Sequence, residues 1–260
     1  MPETAVYAPG TVSWVDLASK DLEKAKAFYS KLFGWQPQTI EDPQAGGYTM
    51  FLLNGKQATA LGPNQDENQP PSAWSIYFAT EDAKKTAEAV KDAGGKVIVE
   101  PMDVMGQGVM AVFQDPTGAF FSVWQPGIHK GFEVEPGKPN TYAWAELNTR
   151  GIDRARDFYK KVFGWGSKIS EMGPGMGDYT EFQVDGQSQA GGMEMTMQPA
   201  HVPPYWMVYF ASTDVDASTK KAKDLGANVM VEPVDFTGGR FSILADPQGG
   251  VFGLLTMKQA

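Results

Sequence analysis

Two short segments of this sequence place an indole and a carboxylate two residues apart. Trp14 is followed by Asp16, and Trp144 by Glu146, within stretches that alternate as strands do. Side chains at every second residue of a strand share a face, so each indole lies beside its carboxylate. Such a carboxylate could orient a polar ligand group or act as a general base, and the indole could stack on an aromatic ligand. A solvated rim carboxylate is the alternative interpretation.

Further candidates lie on strands expected beside these segments. Four tyrosines could share the face that carries the indoles: Tyr48, Tyr77, Tyr179 and Tyr209. Their hydroxyls could contact a ligand or be satisfied by backbone groups in an aromatic core. Glu181 would make the second of two pockets the more polar one. Arg240 could attract an anionic ligand or form an ordinary surface salt bridge.

An internal repeat indicates the elements that position these residues. The pattern A-x-x-F-Y-x-x-x-F-G-W starts at Ala25 and again at Ala155, a shift of 155 − 25 = 130 residues. The turn pattern D-P-x-G starts at Asp115 and again at Asp246. A repeat of this length indicates a duplicated domain.

The boundary between the copies is predicted from composition. The 260 residues suit two domains of ordinary size, and Pro and Gly are dense between the copies. We therefore predict a first domain over residues 1–126, a linker over 127–139 and a second domain over 140–260.

Each copy contains the pattern of strand, helix and three strands twice. A helix is predicted from about Asp21 to Phe33, ended by Gly34 in the left-handed region. A hairpin is predicted across Asn54-Gly55, a strong short-range turn signal. Four such βαβββ modules predict an α+β fold whose curved mixed sheets form cups, with helices outside and a small-molecule pocket inside.

Composition excludes several classes of function. The net charge of −9 argues against a nucleic-acid groove and against binding to an anionic membrane. The chain has no cysteine, which excludes disulfides and thiolate chemistry. No apolar run approaches the roughly 20 residues of a membrane span, and the start lacks the features of an export signal. We expect a cytoplasmic protein.

The repeated motifs resemble those of a known family. The A-x-x-F-Y-x-x-x-F-G-W helix after a first strand, followed by D-P-x-G before the last strand, is similar to the vicinal oxygen chelate superfamily. That group includes glyoxalase I, bleomycin-resistance proteins and extradiol dioxygenases, and the resemblance covers nearly the whole chain twice. It implies two tandem glyoxalase-like domains. Fold alone does not imply the activity.

The resemblance also implies where a divalent metal would be bound, by His, Gln or Glu on inward-facing strand positions. In the first half these positions hold Trp14, Thr59–Ala60, Trp74–Ser75 and Ser122. In the second half they hold Trp144, Gly191–Gly192, Met207 and Gly253. Such metals prefer imidazole or carboxylate ligands. We therefore predict no bound cofactor; a divalent metal would have to bind without its usual ligands.

The two histidines support the same expectation. His129 falls in the predicted linker and His201 in a Pro-rich segment, and neither falls on a predicted strand. We expect both to be surface loop residues.

Two functions follow. The first is a metal-independent protein of the bleomycin-resistance kind that binds a small, partly aromatic or apolar molecule, with the residues named above lining its cups. The second is an enzyme, a glyoxalase-like lyase or isomerase or a hydroxylase or oxygenase. It would use carboxylates such as Asp16, Glu146 and Glu181, either to hold a metal or for acid–base work without one. A plain interaction module is a third interpretation, and the chain could be a monomer or a homodimer.

Overall fold

The structure is a computed structural model that describes residues 7–64, 71–171 and 177–258. The start of the chain, on which the expectation of no export signal depends, lies outside the described residues. The described residues form an α+β fold of two tandem domains, each with a mixed eight-stranded sheet, as predicted.

Four βαβββ modules follow one another along the chain. The first contains β1 (Val12–Ser19), α1 (Leu22–Phe33), β2 (Gln36–Thr39), β3 (Thr49–Leu53) and β4 (Lys56–Pro63). The second contains β5 (Ser72–Ala79), α2 (Ala83–Asp92), β6 (Lys96–Asp103), β7 (Gly108–Gln114) and β8 (Phe120–Pro126). The third contains β9 (Tyr142–Thr149), α3 (Ile152–Phe163), β10 (Gly166–Glu171), β11 (Asp178–Val184) and β12 (Gln187–Glu194). The fourth contains β13 (Tyr205–Ala211), α4 (Val215–Asp224), β14 (Asn228–Phe236), β15 (Gly239–Ala245) and β16 (Val251–Met257).

The ends of α1 are set by local residue type. The Asp21 side chain accepts a hydrogen bond from the Lys24 amide at 3.1 Å and so caps the first turn. Gly34 ends the helix with a φ of 74°, which glycine adopts without a Cβ clash. Both features confirm the prediction for this helix.

The strand order is the same in both sheets. It is β2-β3-β4-β1-β5-β8-β7-β6 in the first and β10-β11-β12-β9-β13-β16-β15-β14 in the second. The first strand of each module runs parallel to the last strand, as in β1 with β4 and β13 with β16, and the hairpins are antiparallel.

The chain divides into two compact units that do not follow the sequence halves. One unit contains Met1–Trp14, Ile76–Gly131 and Trp144–Met207. The other contains Val15–Ser75, Phe132–Ala143 and Val208–Ala260. Each unit therefore combines a module from either half of the sequence.

Within the first of these units, the repeated motifs meet in the core. The Trp206 indole donates to the Tyr159 hydroxyl at 2.9 Å, and this hydroxyl donates to Asp115 Oδ2 at 3.0 Å. Tyr159 is fully buried and Asp115 is buried. The tyrosine of the helix motif and the aspartate of the D-P-x-G turn thus satisfy each other away from water.

The second unit contains the equivalent chain of hydrogen bonds. The Trp74 indole donates to the Tyr29 hydroxyl at 3.1 Å, which donates to Asp246 Oδ2 at 2.8 Å. Ser72 Oγ also donates to Asp246 Oδ2, at 2.9 Å. The motifs that repeat most clearly in the sequence therefore serve packing.

Candidate functional site

One face of the second sheet carries many of the residues singled out in the sequence. Two rows cross β11, β12 and β9 there: Glu181, Gly191 and Glu146 in the first, and Tyr179, Met193 and Asn148 in the second. The rows are two residues apart on each strand, so their side chains lie on the same face. Gly191 is thus surrounded by polar and aromatic neighbours.

Hydrogen bonds connect these side chains into what we call the Glu146 network: Trp144, Tyr179, Glu146, Asn148, Gln198 and Tyr205. The Trp144 indole donates to the Tyr179 hydroxyl at 2.8 Å. The Tyr179 hydroxyl is also close enough to the Glu146 carboxylate to be affected by its negative charge. Asn148 Nδ2 donates to Glu146 Oε1 at 3.1 Å, and Glu146 is only 7% exposed. A carboxylate buried to this degree needs such donors.

Gly191 makes the position of Tyr179 possible. A Cβ added at Gly191 would overlap the Tyr179 hydroxyl. Glycine is therefore required at this point of β12 because a tyrosine side chain occupies the space above it.

The loop between β12 and β13 completes the network. Gln198 Nε2 lies 3.5 Å from Asn148 Oδ1 and 3.2 Å from the Tyr205 hydroxyl, donating to both. Arg150 holds the loop by donating to three of its backbone carbonyls, those of Gln198, Pro199 and Val202, at 2.6 to 3.2 Å.

The two tyrosines of the network are poor acids. Burial, followed by the negative charge of Glu146, holds the pKa of Tyr179 well above its usual range. Burial also raises the pKa of Tyr205. Both hydroxyls therefore keep their protons at neutral pH and can donate hydrogen bonds.

Glu181 lies at the outer edge of the same face. Ser188 Oγ donates to its Oε2 at 2.6 Å, and Lys168 Nζ lies 3.5 Å from its Oε1. The Ser188 hydrogen bond is the main cause that lowers the pKa of Glu181, and Lys168 adds to it. Glu181 is thus a stable anion one strand away from Gly191.

The first half has a simpler counterpart, which we call the Asp16 pair. The Tyr48 hydroxyl donates to Asp16 Oδ2 at 3.0 Å, and both residues are half-buried. In register with Asp16 lie Ala60 on β4 and Met50 on β3. The carboxylate–tyrosine contact is therefore duplicated, but its polar surroundings are not.

Trp14 and Tyr77 do not present open aromatic surface. They are only 4% and 9% exposed. The ring of His129 packs edge-on against Trp14, with ring centres 4.5 Å apart, and also contacts Trp124 at 5.6 Å. The expectation that His129 is a surface residue was therefore wrong, because these indoles half-bury it. His201 is exposed in a turn, as expected.

Tyr209 and Arg240 are likewise occupied by contacts within the protein. Tyr209 is 5% exposed, and its ring covers Gly253, where an added Cβ would overlap it. Arg240 forms ion pairs with Asp216 at 2.7 Å and Asp235 at 3.0 Å. Its charge is balanced by these two carboxylates, which is the surface salt bridge given above as the alternative to a ligand-binding cation.

The residues at the expected metal positions do not fit a divalent ion. Gly191 and Gly253 offer no donor, and the space above each is filled by Tyr179 and by Tyr209 respectively. Within the described ranges there is no group of three or more His, Asp or Glu placed to hold a metal.

Three network residues were not predicted from the sequence: Asn148, Gln198 and Tyr205. Asn148 could have been found, because it follows Glu146 by two residues on the same strand and so shares its face. Gln198 lies in a loop without regular periodicity, and Tyr205 begins a strand at a position that holds Ala73 in the first half. The internal repeat therefore does not mark either residue as a candidate.

The fold and this face define a tandem βαβββ protein whose second half carries the polar and aromatic Glu146 network. The model of the Glyoxalase/Bleomycin resistance protein/Dioxygenase superfamily matches residues 11–123 and 141–253. The chain belongs to this superfamily.

Similar proteins extend over the whole chain. Anthracycline biosynthesis protein DnrV of Streptomyces peucetius is 40% identical over 268 residues, covering 97% of this chain and 95% of its own. CFP32 of Mycobacterium bovis, provisionally named a glyoxylase, is 37% identical over 260 residues and 98% of both chains.

Solved structures agree on the fold. The Mn(II)-bound glyoxalase from Novosphingobium aromaticivorans matches with a TM-score of 0.65 at 20% identity, over 95% of this chain and 82% of that one. The 2,3-dioxygenase LapB from Pseudomonas sp. KL28 matches with a TM-score of 0.65 at 13% identity, over 98% and 95%. At these identities the likeness concerns the fold alone. No helix of the described chain is long and apolar enough to span a membrane.

Proposed function

We propose that this protein binds a planar aromatic small molecule at the Glu146 network, and that it does so without a metal ion. The observation that carries this proposal is the network itself. A buried carboxylate and two tyrosines are held in fixed positions beside the half-exposed indole of Trp144.

Such an arrangement suits recognition because its polar groups are already ordered. Ligand sites typically combine aromatic surface with a few placed polar groups. Side chains fixed by mutual hydrogen bonds lose little freedom on binding, so more of the contact energy reaches the affinity. Trp144 supplies a face for stacking, and Met193 supplies an adaptable apolar contact.

The second half is the better candidate of the two. In the first half, Trp14 and Tyr77 are buried beside the ring of His129. Trp144 keeps part of its surface exposed, and its neighbours include Asn148 and Glu181 where the first half has Ala18 and Met50. We therefore assign one binding site to the chain.

The names of the relatives support the ligand class. Two proteins 40% and 39% identical over nearly the whole chain are named for anthracycline biosynthesis. Anthracyclines contain planar fused aromatic rings, which an indole face can stack on.

Titration of chelator-treated protein with 2-aminoanthraquinone, followed by quenching of tryptophan fluorescence, tests this proposal. We expect saturable binding at one site, unchanged by added Mn²⁺. Glu146→Ala should weaken binding about tenfold, because the network loses its central acceptor. The matched variant at the twin position, Asp16→Ala, should bind as wild type does. Binding that requires the divalent ion, or equal losses in both variants, would contradict the proposal.

A second candidate is an enzyme in which Glu146 acts as a general base. The observation that favours it is a carboxylate only 7% exposed beside the aromatic side chains of Trp144 and Tyr179, since general bases are typically buried and hydrogen-bonded. Deuterium exchange into a bound carbonyl compound, followed by NMR, would reveal such a reaction. Glu146→Gln should abolish the exchange while binding persists; exchange at the wild-type rate would exclude this role.

A further inference from the structure

The hydrogen bonds of the Glu146 network have fixed directions. A carboxylate only accepts, so Asn148 must turn its Nδ2 toward Glu146, as observed at 3.1 Å. The Asn148 oxygen then faces away from Glu146 and can only accept. The orientation of one amide is thereby set by one buried charge.

The orientation of Asn148 in turn fixes the orientation of the Gln198 amide. Gln198 must turn Nε2 toward Asn148 Oδ1, at 3.5 Å. The second hydrogen of the same nitrogen reaches the Tyr205 hydroxyl at 3.2 Å. Arg150 donates to the backbone carbonyl of Gln198, which fixes the backbone from which the Gln198 side chain extends.

Tyr205 stands at the end of this series as an acceptor from Gln198. A phenol has one proton to donate, and the lone pair facing Gln198 is already used. Across residues 7–64, 71–171 and 177–258, no recorded hydrogen bond takes the proton of Tyr205. Its ring is half-buried, and burial raises its pKa, so the proton is present at neutral pH.

We infer that Tyr205 is a specificity-determining residue that donates a hydrogen bond to an acceptor oxygen of the ligand. The site therefore prefers an aromatic ring system that carries a ring carbonyl over the same ring system without one. This inference rests on the proposed function, and it adds the chemical group that the site recognises.

A cycle of four titrations tests it, with wild type and Tyr205→Phe each titrated with 2-aminoanthraquinone and 2-aminoanthracene. The two probes share their three-ring skeleton and amine and differ in the two carbonyls. Wild type should bind the quinone about five- to tenfold more tightly, as one net hydrogen bond allows. Tyr205→Phe should lose this preference by weakening quinone binding, with less than about twofold change for aminoanthracene.

The outcomes separate this inference from the proposed function. If wild type binds neither probe, the proposed function fails. If both probes bind and Tyr205→Phe leaves their ratio unchanged, only the role of Tyr205 is overturned. Equal weakening of both probes in Tyr205→Phe would make the residue a packing element, which also overturns the role.

A second variant tests the direction of the hydrogen bonds. Glu146→Gln keeps the shape but can donate as well as accept, so Asn148 and Gln198 lose their unique orientations. We expect the quinone preference to fall by several-fold in this variant. Tyr48→Phe removes a hydroxyl from the Asp16 pair and serves as the matched control, with the preference unchanged. An unchanged preference in Glu146→Gln would overturn the argument from direction.

Discussion

The Glu146 network and the Asp16 pair occupy the same positions in the two halves of the sequence, yet the polar side chains Asn148 and Tyr205 replace Ala18 and Ala73 of the first half. Both place a tyrosine hydroxyl beside a carboxylate, Tyr48 with Asp16 and Tyr179 with Glu146. The glycine that accommodates the tyrosine is at a different position of the repeat in each half. In the first half the ring of Tyr48 lies over Gly62, whereas in the second half the hydroxyl of Tyr179 lies over Gly191.

This difference shows what duplication preserves. The backbone register is the same, since Asp16 pairs with Ala60 and Glu146 pairs with Gly191. Removing one methyl group at position 191 gives Tyr179 room above the strand, where it also accepts from the Trp144 indole. The fold therefore supplies equivalent positions, and single side chains decide whether a polar network forms there.

The largest effect is expected from making the second half resemble the first. In Gly191→Ala the new Cβ overlaps the Tyr179 hydroxyl, so this tyrosine must leave its hydrogen bond with Trp144 and its place beside Glu146. We expect a loss of about 3 kcal/mol in the free energy of unfolding, measured by urea denaturation. The matched variant Gly62→Ala places its Cβ 3.1 Å from Tyr48, a contact that a small shift relieves, and should cost below about 1 kcal/mol. Similar losses in both would refute the role assigned to Gly191.

A smaller loss of stability is expected when a buried tyrosine loses its hydroxyl. It distinguishes the Glu146 network from the Trp–Tyr–Asp hydrogen bonds of the core. Tyr159→Phe leaves the Trp206 indole and Asp115 Oδ2 without their shared partner in a fully buried place. We expect a loss of about 2 kcal/mol in unfolding free energy. Tyr179→Phe should cost about 1 kcal/mol, because the hydrogen bond it removes comes from the partly exposed indole of Trp144. The same denaturation measurement compares them, and a larger loss for Tyr179→Phe would show that the network is mainly a stability element.

The smallest effect concerns Glu181, whose counterpart is Met50. Its folded-state pKa is lowered below the ordinary value of 4.5, first by the Ser188 hydrogen bond and then by Lys168. Such a group stabilises the fold above about pH 4.5, and this contribution is lost as the pH falls through the lower folded-state pKa. Glu181→Gln should therefore reduce stability by less than about 1 kcal/mol at pH 7, and this effect should shrink as the pH falls below 4.5. A stability loss in Glu181→Gln that grows toward acid pH would contradict a lowered folded-state pKa for Glu181.

Much of the fold could be predicted because its signals are local. The cap at Asp21, the left-handed Gly34 and the Asn54-Gly55 turn each depend on a few neighbouring residues. The strand β2 was not located, because Gln36–Thr39 is exposed along its whole length and has no alternating pattern. The faces of β1 and β9 were correct, since Val15, Leu17, Ala145 and Leu147 are completely buried opposite the carboxylates.

Part of the site depended on residues far apart in sequence. The pairing of Tyr179 with Glu146 spans 33 positions, and that of Gln198 with Asn148 spans 50. Trp14 and Trp144 occupy equivalent positions of the repeat, but the ring of His129 packs against Trp14. No local pattern distinguishes the two indoles.

The sequence by itself determined the duplicated module order, the strand faces and the lack of ordinary metal ligands, because each depends on residue type and short-range spacing. Only the tertiary structure decided which half contains the larger hydrogen-bond network. That outcome depends on whether a side chain finds room and a partner across neighbouring strands, as Tyr179 does above Gly191. The tertiary structure also decided that the repeated tyrosines and aspartates form hydrogen bonds with each other in the core. Burial requires this, because an unpartnered buried hydroxyl or carboxylate is too costly.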